Sequence, residues 1–471
     1  MTSTALPPGV LLAYYGDDFT GSTDAMESMT AAGIPTLLCL EPPTPELLAR
    51  FPDVRCVGIA GSSRGRSPEW MSQALPEAFA SLVALGAPIV QYKICSTFDS
   101  SPQVGSIGRA IDIGIETVGG RWSPMVVGAP RLRRYQMFGN LFAAVDGVGY
   151  RLDRHPTMSR HPVTPMHEAD LRLHLREQTA RRIELVDMLS LRSARGIEHI
   201  DSLAGNDTPI VLLDVLDAET LEAAGEAIWE RRGDRLFTAS SSGLQYALGA
   251  YWRARGWVPD TVTLPEAEPV GQIAVVSGSC SPVTAGQIRH AREAGFHTER
   301  LAIECVLATA TREREIERTA SAAVNALSRG QSAVVFSAEG PDDPSVMRFD
   351  DSARAAGISR GDAARAIGQA LAAVMQRILD RVSLDRVVVA GGDSSGEVAS
   401  ALGVTALSVA AAMAPGAPVC RAWSEDARRD GLQIVLKGGQ IGGAEFFREV
   451  RDGPKGQQGQ PGRQGQATQS A

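Results

Sequence analysis

The chain lacks an excess of positive charge, any closely spaced pair of cysteines and any long uninterrupted apolar segment, and each absence removes a class of function. Its 471 residues hold 46 Lys+Arg against 54 Asp+Glu, a formal net charge of −8. An acidic balance provides no electrostatic footprint for nucleic acid, so a phosphate or carboxylate ligand has to be held by local positive groups. The six cysteines include no C-x-x-C pair, and the nearest two, Cys39 and Cys56, stand 17 residues apart. Such spacing supports neither a zinc ribbon nor a disulfide framework. Thiols set in apolar runs such as TLLCL and VRCVGIA read as core residues of a reducing compartment. The opening MTSTALPPGVLLAYYGDD carries no basic n-region, and its apolar stretch is too short to cross a bilayer. The expectation is a cytoplasmic protein with neither a membrane nor a nucleic acid as partner; a homo-oligomer is left open.

What remains is globular. Hydrophobic residues at 44% and charged residues at 21% exclude a disordered chain and a membrane bundle. At ~100 to 200 residues per domain the length predicts two domains, or three. Short apolar runs alternate with helical patterns: VLLAYY, TLLCL, CVGIA, PIVQYK, MVVGA and IVLLDV, then IAVVSG, SAVVFS, RVVVAGG and LQIVLKGG. Runs unbroken by polar alternation fit strands buried on both faces. The predicted fold is α/β, with two domains that each have a mainly parallel sheet flanked by helices. A helix through Gln245 to Trp252 precedes GWVPDTVTLPEAEPVGQ, which has three prolines and no helical period. The division is therefore 1–255 for the first domain, 256–271 for a linker and 272–452 for the second domain. Residues 453–471 lack large apolar side chains and are predicted to be disordered. Their glycine at every third position from Gly453 to Gly465 makes too few triplets for a triple helix.

The first strand, Val10 to Tyr15, runs into GDDFTGSTDAMESMTAAG. Gly16 and Gly21 bracket a loop holding Asp17 and Asp18, and a helix is predicted to open at Thr23 or Asp24 and close at Gly33. In open α/β sheets ligands lie at the carboxyl ends of the strands, where paired carboxylates either accept a hydroxyl proton or hold a metal. The alternative is an Asp helix cap with an Asx-turn. Arg64 beside Ser62 and Ser63, and Lys93 beside Ser96 and Thr97, each follow a strand. A cation with hydroxyls suits a small polyhydroxylated anion.

The second half has three Gly/Ser loops, at 275–287, 388–403 and 435–443. Loops of this kind present backbone N–H groups to phosphate without net protein charge. None matches the P-loop or the dinucleotide G-x-G-x-x-G. Lys437 is the candidate phosphate contact, with a lysine on a sheet edge as the alternative. His155, His161, His167 and His174 fit no zinc spacing, and the metal ligands stay unassigned. Their proline-pinned segment, with Arg154 and Arg160, is a candidate cleft wall.

Across nearly its whole length the chain resembles the four-carbon acid sugar kinase family. The resemblance rests on GDDFTGSTDAMESMTAAG, on GSCS followed by Thr284 and Gln287, and on the late pair GGDSSG and KGGQIGG. It implies a sugar-acid domain followed by an ATP domain, and transfer of the γ-phosphate to a hydroxyl of a tetronate or related keto acid, with Mg²⁺ as the metal. Residue by residue it puts ATP on Ser279 or Ser281, on Gly391, Gly392, Asp393, Ser394 and Ser395, and on Gly438, Gly439 and Gln440, beside the candidate Lys437. Asp18, with Asp17 as the alternate, takes the catalytic acidic role. Arg64, Lys93, Ser96 and Thr97 take the acid-sugar clamp. Two departures lie in the substrate half. Phe98, Asp99 and Ser100 stand where relatives continue Leu-Arg-Gly, and Pro130 is followed by RLRRYQMFGN instead of the usual Pro-x-x-Gly-Arg. They imply a subgroup acting on a branched or 3-oxo acid such as 3-oxo-isoapionate. Two other readings of the same residues are a phosphatase or phosphotransferase with an Asp nucleophile, and a nucleotide-binding protein without turnover.

Overall fold

The structure, a computed structural model, describes residues 5–454 except 146, 162 and 206, without the side chains of 194, 195, 197 and 393. The predicted tail beyond 454 and the side chain of Asp393 therefore lie outside the described residues. The strands are β1 (Leu12–Gly16), β2 (Thr36–Cys39), β3 (Cys56–Ala60), β4 (Ile89–Lys93), β5 (Ser123–Met125) and β6 (Arg134–Met137). They continue as β7 (Asn140–Val145), β8 (Val148–Arg151), β9 (Ile183–Val186), β10 (Ile210–Leu213), β11 (Leu236–Ser240) and β12 (Ala274–Ser277). The last are β13 (His297–Arg300), β14 (Ala333–Phe336), β15 (Arg386–Ala390), β16 (Val404–Ala414), β17 (Ala417–Ser424) and β18 (Gln433–Lys437). Nine of the ten apolar runs coincide with strands. The tenth, MVVGA, is displaced: β5 ends at Met125, and the amide of Val126 already turns to Ser240 Oγ at 2.9 Å.

Twelve strands form one sheet in the order β11-β4-β1-β3-β2-β16-β17-β18-β15-β12-β14-β13. Each flank is parallel, as the fully buried β1, β4, β12 and β15 require. The flanks are joined through antiparallel steps, with β2 against β16 at Leu38↔Leu407 and Cys39↔Ala406, then β16–β17 and β17–β18. The two domains thus share a sheet instead of holding two separate ones. They also share a core: one apolar cluster runs from Leu12 and Met26 through Leu407 and Cys420 to Val389 and Leu436. The β16–β17 ladder has register shifts at Val404/Ala406, Val409/Ala411 and Ala411/Ala414. Bulges bend the strand that carries them, and the loops after β1, β15 and β18 come together. Smaller sheets β5-β10-β9 and β6-β7-β8 lie in the first half. Between the helix Gly243–Ala254 and β12 no helix or strand forms, apart from a bridge between Glu266 and Ala412.

Candidate active site

The loop after β1 is tied down by its backbone: Asp17 N–H donates to Lys93 O at 2.9 Å, and Arg64 N–H donates to Asp17 O at 2.9 Å. The helix that follows spans Phe19–Ala31, starting four residues before the predicted Thr23. The cause is Asp18, whose extended backbone and Oδ1, accepting the Gly21 N–H at 2.8 Å, make it the N-cap. Capping uses only one oxygen. Asp18 Oδ2 accepts no hydrogen bond from the described residues, and the side chain is 24% exposed.

Asp17 is buried and held by both arms of Arg64, with Nε 3.1 Å from Oδ2 and Nη2 2.7 Å from Oδ1. The same Nη2 lies 2.7 Å from Asp18 Oδ1. Burial pushes the Asp17 carboxyl up and the Asp18 charge adds to this, while Arg64 opposes both. The Arg64 guanidinium, expected on a substrate carboxylate, thus bonds two acids of its own chain through Nε and Nη2, while the side chain stays 25% exposed in the lining of the cleft. Lys93 differs: it ends β4, is buried, and has Asp24 Oδ2 at 3.8 Å as its ion-pair partner. Gly21 lets these groups converge, because a Cβ there would stand 2.4 Å from Asp18 Oδ1 and 2.8 Å from Lys93 Nζ. Ser96 and Thr97 are half-buried just past β4. The Thr97 hydroxyl is taken up internally, donating to Asp99 Oδ1 at 2.8 Å and lying 2.9 Å from Cys95 Sγ.

Asp17, Asp18 and Arg64 open on a cleft of about 720 Å³ between the halves, whereas Lys93, Ser96 and Thr97 are not part of its lining. The first half contributes Asp17, Asp18, Arg64, Arg66, Asp99 and His161; the second contributes Arg365, Gly392, Gly396 and Glu397. Of the four histidines, His167 and His174 lie with ring centroids 6.0 Å apart and neither lines the cleft. His161 reaches the cleft, whereas buried His174 braces the loop above it, with Nε2 3.1 Å from Ser100 Oγ and its ring 5.6 Å from that of Phe98. Phe98 holds a left-handed φ of 60° there, a conformation that a non-glycine residue adopts only under local constraint. Among the described residues no group of three or more His, Cys, Asp or Glu side chains is arranged to hold a metal.

In the second half one hydroxyl ties two of the glycine loops together. Thr284 Oγ1 accepts from Ser279 Oγ at 3.1 Å and Lys437 Nζ at 3.1 Å, and donates to Gly439 O at 2.9 Å. Gln287 Nε2 donates to the carbonyls of Ile441, Gly442 and Gly443 at 3.0 to 3.1 Å, bracing the loop that holds Gly438, Gly439 and exposed Gln440. Ser281 caps the helix Pro282–Glu293. Gly391 has a φ of +126° that favours glycine, Ser395 Oγ donates to its carbonyl at 2.8 Å, and a Cβ on Gly278 would overlap Ser394 Oγ. Lys437 is fully buried, has no carboxylate partner among the described residues, and has its amine pushed down by burial to about 8. A buried cation without a counter-ion is costly, and a polyanion would supply what it lacks.

The sequence motifs contain Thr284 and Gln287 without giving either a site role. Arg365 and Glu397 as cleft walls had no local signal, and Asp99 stood out only as a departure in the substrate half, since only the packing of the two halves brings the three together.

Residues 12–248 match the family model of a sugar-binding N-terminal domain, and residues 274–447 that of a nucleotide-binding C-terminal domain. The chain is 70% identical over 451 residues to a 3-oxo-isoapionate kinase of Paraburkholderia graminis, covering 96% of each chain. It is 31% identical to a 3-oxo-tetronate kinase of Methylobacterium radiotolerans, over 94% of this chain and 98% of the relative. A crystal structure of a Salmonella typhimurium protein, 25% identical, superposes with a TM-score of 0.72 over 94% of this chain and 98% of that one. Identity at this level over both halves sets aside the phosphatase and the non-catalytic readings. With a sugar-binding half and a nucleotide-binding half meeting across one cleft, the chain belongs to the four-carbon acid sugar kinase family and is an ATP-using sugar acid kinase.

Proposed function

We propose that the enzyme phosphorylates a hydroxyl of a branched or 3-oxo sugar acid, of the kind exemplified by 3-oxo-isoapionate, with the acid held by residues 1–255, the nucleotide by 272–452, and 256–271 as the linker. The observation that carries the reading is the meeting of the Asp17–Asp18 loop with the glycine loops of the other half across the cleft. Identity of 70% to a 3-oxo-isoapionate kinase supports the acid. Asp18 takes the hydroxyl proton; in support, its side chain lines the cleft and its Oδ2 accepts no hydrogen bond from the described residues. Lys93 serves as the clamp on the substrate carboxylate beside Ser96 and Thr97, and Arg64 sets the charge of the acid pair. ATP lies on Ser279 or Ser281, on the Gly391–Ser395 loop that includes Asp393, and on Lys437, Gly438, Gly439 and Gln440. Mg²⁺ would travel on the phosphates, with Asp17 or Asp18 within reach, and neutralise charge on the β- and γ-oxygens.

A coupled ADP assay over four- and five-carbon sugar acids tests the substrate. The expected result is poor turnover of linear D-threonate and L-erythronate beside a branched or 3-oxo acid, since a hydrogen-bonding pocket rejects analogues that leave its buried groups unpaired. A linear tetronate with kcat/KM at or above every oxo or branched acid would defeat the substrate reading and leave the kinase intact.

Lys437→Met is expected to raise KM for ATP ~10-fold or more with little change for the sugar acid, because it removes the buried cation from one substrate only. The amine loses its proton above about pH 8, and phosphate prefers the charged form. Wild-type KM for ATP should therefore climb as pH passes that value, and the climb should vanish in Lys437→Met. A wild-type KM that stays flat there would count against the contact.

A further inference from the structure

Thr20, the second residue of the helix Phe19–Ala31, has an Oγ1 that is buried without a hydrogen-bond partner. Other threonines of this helix show the ordinary arrangement: Thr23 Oγ1 donates to Thr20 O and Thr30 Oγ1 to Met26 O, each at 2.8 Å. Thr20 makes no such back-bond. A hydroxyl withdrawn from water and left unbonded is costly, so its retention calls for an explanation.

The hydroxyl faces the boundary between the halves. A Cβ on Gly392 would stand 3.5 Å from Thr20 Oγ1, and one on Gly438 would stand 3.6 Å from Thr20 Cγ2. Phe19 packs in the same way on Gly396, whose Cβ position is 3.2 Å from the ring. On its other side Thr20 adjoins Gly21, the point where Asp18 Oδ1, Lys93 Nζ and Arg64 Nη2 converge. One unbonded hydroxyl therefore lies between the loops assigned to the nucleotide and the carboxylate assigned to the acceptor.

We propose that Thr20 is a catalytic residue, its hydroxyl donating a hydrogen bond to the phosphoryl group in transit between ATP and the sugar acid. The proposal rests on the nucleotide reading of the two glycine loops. Nucleotide binding parts Gly392 and Gly438 from Thr20 and gives the hydroxyl the acceptor it lacks. In the transfer the bond from the γ-phosphorus to the β,γ-bridging oxygen breaks, and the hydroxyl oxygen of the acid forms the new bond. Its proton passes to Asp18, and ADP leaves with the bridging oxygen. Thr20 changes no bond of its own; it offers a fixed dipole where charge on the non-bridging oxygens is redistributed.

Thr20→Val, which exchanges the hydroxyl for a methyl group of the same shape, is expected to lower kcat by about 10²-fold. KM for ATP and for the sugar acid should each move by less than about threefold. Thr20→Ser, which restores the hydroxyl, should recover most of the lost rate. Calorimetry supplies a readout that a packing role would not move: Thr20→Val should weaken binding of MgADP with aluminium fluoride, a mimic of the phosphoryl group in flight, and leave MgADP binding unchanged. If Thr20→Val does not fold, Thr20→Ala takes its place in the same measurements. Three results would each overturn the proposal: kcat retained in Thr20→Val, equal losses in the Val and Ser variants, or a lost rate with undiminished affinity for the fluoride complex. Failure of the underlying nucleotide reading shows separately, as MgADP affinity that Lys437→Met leaves unchanged, and it removes this proposal as well.

Discussion

Asp18→Asn is expected to lower kcat by ~10² to 10⁴ while ATP affinity stays near that of the wild type, the range that general-base assistance supplies. The substitution is selective because of how the carboxylate is used. Oδ1 caps the helix by accepting the Gly21 N–H, and asparagine caps about as well as aspartate. What changes is Oδ2, which accepts no hydrogen bond from the described residues and belongs to a side chain lining the cleft, and which becomes an NH₂ group that cannot accept a proton. Thermal unfolding of the variant should therefore resemble that of the wild type while steady-state turnover collapses. Asp17→Asn makes the control: Asp17 is buried and both its oxygens are taken by Arg64, so its main loss should be in stability. Normal turnover in Asp18→Asn with loss in Asp17→Asn would transfer the base to Asp17. Normal turnover in both would leave the acidic loop as a cap and no more.

Arg64→Ala should be nearly as damaging, and through a different route. From its position after β3 alone, Arg64 reads as a clamp whose loss raises KM for the sugar acid only. Its guanidinium instead bonds Asp17 twice and Asp18 once. Removing it orphans a buried carboxylate beside a second one, a change worth ~3–5 kcal/mol of stability in other proteins, and protonation of the acid pair should lower kcat/KM on the order of 10²-fold. The pH profile carries the sign. Burial and Asp18 raise the Asp17 carboxyl, and Arg64 is the largest influence that lowers it. Without Arg64 the pair takes up a proton at higher pH, so the acid limb of kcat/KM should move upward. Arg64→Lys should fall between, because an ammonium is a point charge and cannot fork across three oxygens. An acid limb left in place by Arg64→Ala would show that the acid pair does not govern activity.

The parts of this fold that can be read in advance are those whose cause is local. A strand buried on both faces needs apolar residues at nearly every position, and VLLAYY, IAVVSG and RVVVAGG display that within six or seven residues. The glycine loops are legible on the same terms, through composition. The β16–β17 hairpin is not: VTALSVAAAMA is half-buried and rich in alanine, so its pattern names no element, and it is this hairpin that joins the two flanks of the sheet. The start of the helix Phe19–Ala31 was hidden in a similar way, because Asp18 as cap and Asp18 as acid give the same letter in the sequence.

By itself, then, the sequence determined an α/β chain, its two halves, the acidic loop and the phosphate-type loops. Only the tertiary structure decided which charges meet. Arg64 is bonded to Asp17 across 47 positions, Lys437 reaches Thr284 across 153, and Thr20 faces Gly392 from the opposite half. The physical reason is that such partners are selected by strand order and register, which the whole core sets, while the pattern of any one segment records only how that segment is buried.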